Sequence, residues 1–253
     1  MTSPSSMIEP SIIYEDENIL AIEKPAGVAV HGGGQDATGT VVEWFLKHNP
    51  EAKGVGEPRL DKDGKEIERS GVVHRLDRET SGVMVLAKNQ DTFNLLKTQF
   101  QERQVKKEYL ALVYGHMKEK WGTVNRSIGR SVKDFRRRSA ERGAKGHLRE
   151  SITDWEVLKQ GEYKGEKFAY LKLSPKTGRM HQLRVHLKAV GHPIVGDKLY
   201  AGKKLEQSNN LGLNRLALHA NKLDIKLNND EIESFASPTP QNLSKSIDEL
   251  EQV

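Results

Sequence analysis

The densest run of reactive side chains is His74-Arg75-Leu76-Asp77-Arg78-Glu79-Thr80-Ser81-Gly82, where a carboxylate stands among arginines. A carboxylate kept ionised beside guanidinium groups can attack an electrophilic carbon or take a proton. The run lies between two apolar stretches, Gly71-Val72-Val73 and Val83 to Ala87. A polar loop hung from buried strands is held by a rigid scaffold, where functional residues concentrate. The same residues also fit an ordinary charged turn in which Asp77 caps Thr80 or pairs with Arg78. A second polar run is Thr177-Gly178-Arg179-Met180-His181-Gln182-Leu183-Arg184-Val185-His186. With Met180, Leu183 and Leu187 turned to a core, His181 and Arg184 share an adjacent helical stripe. Such a stripe can offer a guanidinium to a carboxylate elsewhere, and it is equally the wet side of an amphipathic helix.

Other chemistries lack their residues. The 253-residue chain has no cysteine, which excludes disulfides, thiolate catalysis and cysteine-ligated zinc or iron–sulfur sites. His31-Gly32-Gly33-Gly34 resembles an oxyanion loop, but no G-x-S-x-G elbow supplies a nucleophile. His186 and His192 do not form an H-E-x-x-H frame, and neither a G-x-x-x-x-G-K-[ST] loop nor a G-x-G-x-x-G loop occurs. We therefore expect no cofactor and no metal.

The charge points to a polyanion. Forty Lys and Arg face 35 Asp and Glu, a net +5, with a pI near 9.2. Residues 101–150 alone hold 14 basic and 6 acidic residues, a net +8. Phe135-Arg136-Arg137-Arg138 sits at the centre of this basic stretch, which spans Arg126 to Arg149. Either it meets nucleic acid or it is a solvated charged loop.

The elements that must carry these residues alternate between extended and helical patterns. Ile12 to Tyr14 and Ile19 to Glu23 read as a strand pair, and Thr40-Val41-Val42-Glu43 as a capping box opening a helix that ends before Pro50. Residues 51–70 read as a long exposed loop. Asn89 or Asp91 caps a helix bearing Phe93, Leu96 and Phe100. Tyr109 to Val113, Phe168 to Leu173 and Leu223 to Leu227 read as strands, and Met180 to Val190 as a helix. The expected fold class is α+β, one mixed and largely antiparallel sheet flanked by helices and loops. The catalytic domain is expected over 11–240, between a flexible tail at 1–10 and a loosely held tail at 241–253. No window is apolar enough to span a membrane.

At these residues the chain resembles the RluA family of pseudouridine synthases. His74 to Gly82 fits the family's H-R-L-D-x-x-T-S-G signature at every fixed position. Four further segments are similar to its motifs, in the same order. They are Glu23-Lys24-Pro25-Ala26-Gly27 with His31, Lys107-Glu108-Tyr109-Leu110-Ala111, Thr177 to His186, and Arg215-Leu216-Ala217-Leu218-His219-Ala220. Phe235 to Pro240 is similar to the family's closing F-x-x-P-x-P.

The resemblance implies the pseudouridine synthase catalytic fold and a reaction without metal or cofactor. The glycosidic bond of a uridine in structured RNA is cleaved, the uracil turns, and it is rejoined through carbon 5. By resemblance, Asp77 is the essential carboxylate, acting by covalent attack or by assisting cleavage. Tyr109 stacks on the uracil and helps move the carbon 5 proton, and Arg184 holds Asp77 ionised. Arg75 fills the space left by a flipped base. His74, Arg78, Thr80 and Leu216, within the matched motifs, are counted with the RNA-contacting residues, as are Arg136, Arg137 and Arg138 in the basic loop. Many family members carry an N-terminal RNA-binding module, and none is expected here. Ribosomal RNA is favoured as substrate over transfer RNA, in a cytoplasmic monomer. The alternative is a non-catalytic RNA-binding or RNA-chaperone protein on the same fold.

Overall fold

The computed structural model describes residues 8–32, 38–60, 64, 66–202, 205, 211–227 and 231–251. Gly33 and Gly34, and most of the expected N-terminal tail, lie outside the described residues. In chain order the elements are β1 (Ser11–Glu15), β2 (Ile19–Lys24), α1 (Val41–His48), β3 (Ser81–Ala87), α2 (Gln90–Gln101), β4 (Lys106–Tyr114), β5 (Trp121–Asn125), β6 (Ile128–Ser131), β7 (Arg138–Ala140), β8 (Ala144–Arg149), β9 (Ile152–Tyr163), β10 (Glu166–Pro175), α3 (Gln182–Ala189), β11 (Leu218–Lys226), β12 (Ile232–Ala236) and α4 (Gln241–Asp248). The pairs β1·β2, β2·β3, β11·β12, β4·β10, β10·β9, β9·β5, β6·β7 and β6·β8 are antiparallel. The fold is α+β, as expected. Among the described residues no helix is long and apolar enough to cross a membrane.

The chain divides into two compact units. The first comprises Met1–Val105 and Lys222–Ser237, the second Lys106–Asn221 and Pro238–Val253. In the first, β1 pairs with β2 and β2 with β3, while β12 pairs with the later part of β11. All seven residues of β3 are buried, which is why Val83 to Ala87 is uniformly apolar instead of alternating. The capping box forms as read, with Thr40 Oγ1 accepting from Glu43 N at 3.2 Å and Glu43 Oε2 accepting from Thr40 N at 3.3 Å. Asn89 caps α2 by accepting from Thr92 N at 3.0 Å. Gly71-Val72-Val73 is a turn with one bridge, Val72 to Leu86, and not a strand. Gly71 has φ +73°, and a Cβ there would lie 2.6 Å from Ala87 O and 2.8 Å from the Phe45 ring. The chain is pressed too closely against its neighbours at that point to run extended.

The second unit is built on β4, β10, β9 and β5, paired in that order. Leu112, Phe168, Leu171, Leu173, Leu183 and Leu187 form the heart of its core. Leu243, Ile247 and Leu250 belong to the same core, and Glu251 pairs with Glu162. The segment expected as a loose C-terminal tail is therefore a docked helix, α4, whose apolar side chains recur every three or four residues. The basic stretch is also more ordered than a loop: β6 is flanked by β7 and β8 in a small three-stranded sheet.

Gly196 shows how tightly this unit is packed. Its φ is +72°, and an added Cβ would sit 2.0 Å from Arg215 O, far inside van der Waals contact. Both strain and overlap oppose any side chain there. Gly196→Ala should therefore lower stability by about 3 kcal/mol or more, read from urea unfolding. A midpoint equal to that of the wild type would contradict this packing.

Candidate active site

In the first unit the turn bearing Asp77 is held from both ends. Leu76 is 3% exposed and Thr80 2%, so the two sink into the unit while Arg75, Arg78 and Glu79 stay exposed and Asp77 is half-buried. Thr80 N donates to Asp77 O at 3.1 Å, closing the turn through backbone. Lys24, fully buried, donates from Nζ to Pro25 O and Val28 O at 2.8 Å each and to Arg78 O at 3.0 Å. Gly27 N also donates to Arg78 O, at 2.9 Å. The K-P-x-G segment thus grips the residue that follows Asp77. A buried ammonium is tolerated only with such partners, so Lys24 fixes where this turn can lie.

The histidines of this unit serve the scaffold. His74 Nε2 accepts from Val85 N at 3.0 Å, and its ring stacks on Phe100 with centroids 4.6 Å apart. It clamps the start of the turn to β3 and α2. Thr80 is likewise buried and structural. His31 Nδ1 donates to Gly32 O at 2.8 Å, leaving Nε2 to accept from Arg75 Nη1 at 3.2 Å. Burial first, then the charges of Arg75, Arg69 and Arg59, push the His31 pKa down, which keeps the ring neutral and able to accept. His31 thereby orients Arg75.

In the second unit Tyr109 lies half-buried in β4, opposite Leu173 of β10. Arg184, 8% exposed, lies in α3. Its Nε and Nη2 each reach an oxygen of Asp197 at 2.8 Å, a bidentate pair. Asp197, 1% exposed, also accepts from Leu199 N and Tyr200 N at 3.0 Å. The Arg184 guanidinium carbon lies 5.0 Å from the Tyr200 ring centroid. A buried arginine needs a carboxylate, and that logic alone predicts a partner such as Asp197; it does not say which Asp. Asp197 and Tyr200 were missed because Gly196-Asp197 reads only as a turn.

The helical stripe read from His181 and Arg184 does not form. His181 precedes α3 in a left-handed conformation, φ 58° and ψ 21°, and Met180 is 46% exposed, not in the core. His181 Nδ1 instead lies 2.8 Å from Tyr200 Oη, which also accepts from Arg138 N at 2.8 Å. Other members of the motif are anchors. Gln182 Nε2 donates to Ile152 O and Thr153 Oγ1 at 3.0 Å each. Fully buried His186 bridges Thr153 Oγ1 at 2.9 Å and Arg126 O at 3.0 Å, and burial lowers its pKa.

The three consecutive arginines differ in their surroundings. Arg136 pairs with Asp134 through Nη2 at 2.8 Å and Nε at 3.1 Å, and Arg137 Nε lies 3.3 Å from the same carboxylate. The Arg136 hydrogen bond foremost holds the Asp134 pKa down at about 2. Arg138 turns to Met180 Sδ, 3.1 Å from its Nη2. Phe135, just before them, is 89% exposed. Leu216, expected to contact RNA, is 2% exposed in the core of the unit and packs there instead. Among the described residues no group of three or more His, Asp or Glu could hold a metal ion.

Comparison with known proteins agrees with this geometry. The RNA pseudouridylate synthase family model matches residues 18–189. An uncharacterised RNA pseudouridine synthase of Synechocystis is 38% identical over 243 residues, covering 95% of this chain and 69% of that protein. Ribosomal large subunit pseudouridine synthase D of Borreliella burgdorferi is 35% identical over 237 residues, covering 93% of this chain and 67% of its own length. Among solved structures, human RNA pseudouridylate synthase domain containing 1 superposes with a TM-score of 0.74 at 31% identity, covering 96% of this chain and 89% of the human one. With sequence, family model and fold in agreement over most of its length, the chain belongs to the RNA pseudouridylate synthase family and is an enzyme that isomerises uridine in RNA.

Proposed function

We propose that the protein flips specific uridines out of structured RNA and converts them to pseudouridine with Asp77 as the catalytic carboxylate. The observation that carries this reading is the pinned turn, which offers a half-buried carboxylate between exposed arginines on a backbone that cannot drift. Preorganised charge of this kind is what cleavage at an anomeric carbon requires. Asp77 either attacks that carbon or assists departure of the uracil; in both routes the N1 bond breaks, a carbon 5 bond forms, and the carbon 5 proton leaves.

Tyr109 and Arg184 are assigned as its partners on the matched motifs. Tyr109 stacks on the uracil and moves the carbon 5 proton. Arg184, held by Asp197 in a bidentate pair, is the matched arginine of the motif. Arg75 fills the vacated stack, and Arg78 contacts the RNA beside it. Arg136, Arg137, Arg138 and the exposed Phe135 meet the backbone and a base of the same RNA. Ribosomal RNA is the favoured substrate, since one relative is named a ribosomal large subunit synthase; transfer RNA is the alternative. A cytoplasmic monomer is the proposed working form, and a chain without cysteine suits a reducing compartment.

Asp77→Asn keeps the shape of the side chain and removes its charge. Tritium release from RNA labelled at carbon 5 of uridine should fall to background, with RNA affinity retained. Release near the wild-type rate would remove Asp77 from the chemistry.

Extraction of a stacked base costs a few kcal/mol, and a wedge offsets part of that only where a stack exists. Arg75→Ala should therefore slow single turnover more on a uridine inside a paired helix than on the same uridine in an open loop, by about tenfold for each ~1.4 kcal/mol of lost wedging. Equal losses on both RNAs would take the flipping role away from Arg75.

A further inference from the structure

The first unit gathers a second set of charges beside the turn. Arg75 Nη1 lies 3.2 Å from His31 Nε2, and the charges of Arg59 and Arg69 act on the same imidazole. Those of Arg59 and Arg75 act in turn on Arg69. Arg59 and Arg69 come from the 51–70 segment, which no motif claims. Backbone bonds fix both: Ile67 N donates to Arg59 O at 2.7 Å, and Val72 N to Arg69 O at 3.0 Å. Gly71 N ties the segment back to Val55 O at 2.8 Å.

Among the described residues no carboxylate ion-pairs with Arg59, Arg69 or Arg75, whereas Arg136 and Arg137 share Asp134 and Arg184 holds Asp197. Arg69 is half-buried, and its Nε is shut away from solvent with no acceptor. His31 offers nothing to an arginine beyond the lone pair that Arg75 already uses. Crowded like charges, partly removed from water, are unfavourable unless an anion completes the cluster. Guanidinium forks match phosphate oxygens in both spacing and charge.

We infer that Arg59, Arg69 and Arg75, with His31 behind them, form a binding site for one backbone phosphodiester of the RNA substrate. The inference rests on RNA being the substrate and deepens that reading; it depends neither on the role of Asp77 nor on wedging by Arg75. Because Arg75 is two residues from Asp77, the phosphate belongs to the nucleotides flanking the target uridine. The segment without a motif thus sets where the strand lies while the turn acts on the base.

The test is equilibrium binding of a stem-loop RNA that the wild-type enzyme converts, measured over a range of salt. Arg59→Gln and Arg69→Gln should each lower the slope of log affinity against log salt by about 0.7–0.9, the value for one phosphate contact. The double variant should lose no more than about one such step, because both arginines hold the same phosphate. Lys53→Gln removes an equal charge from an exposed position in the same segment and should leave the slope unchanged. Arg59 is exposed, so its variant tests the site even if Arg69→Gln does not fold. An unchanged slope in Arg59→Gln, or equal flattening in Lys53→Gln, would overturn the site. The readout is binding alone, so an error in the Asp77 or Arg75 assignment would leave these slopes as they are.

Discussion

A lysine ammonium with no exposure to solvent donates to the carbonyls of Pro25, Val28 and Arg78, and the first unit is arranged around that requirement. A charge taken from water this completely must find its hydrogen bonds within the protein. Lys24 ends β2, so the strand brings the charge and the turn after Asp77 must bring a carbonyl. Gly27 reinforces the grip from the same segment. His74, clamped between Val85 N and Phe100, fixes the turn at its other end. The side chains this backbone presents are the exposed Arg75 and Arg78, with half-buried Asp77 between them. A rigid backbone carrying a few reactive side chains needs little reorganisation during reaction, which is the economical arrangement for bond cleavage at a sugar carbon.

The second unit repeats the principle with the opposite charge buried deepest. Asp197 accepts from two backbone amides and from two nitrogens of Arg184. Tyr200, the third residue after it, hydrogen-bonds both His181 and the backbone of Arg138 through one hydroxyl. One short turn therefore holds α3, the residue before it and the edge of the small basic sheet. That sheet projects Phe135 while Asp134 restrains two of its three arginines. The net charge of the sequence window already counts Asp134, and the pairing fixes the geometry of that part of it.

Much of this was legible in the residues. The capping box at Thr40, the Asn89 cap and the alternation in β10 are local patterns, and local hydrogen bonds and burial realise them directly. The site motifs were legible as motifs, but not the work of each member. His74, Gln182 and His186 are polar residues whose partners lie far away in sequence, and nothing in their own neighbourhood marks them as anchors. Met180 looked like a core position because periodicity assumes the helix has begun; it begins at Gln182, after a left-handed His181. The C-terminal helix was missed because Leu243, Ile247 and Leu250, spread through a mostly polar run, look solvated until the core that receives them is known. The basic stretch looked like a loop because β6, β7 and β8 are three to six residues long and rich in charge.

The most direct test of the central claim is pseudouridine mapping of total RNA from cells lacking this gene, supplied with either the wild-type or the Asp77→Asn protein. The account predicts that a small set of uridines, in ribosomal RNA, is modified with the wild-type gene and unmodified both without it and with Asp77→Asn expressed at equal level. An unchanged map on loss of the gene, or a map restored by Asp77→Asn, would contradict it.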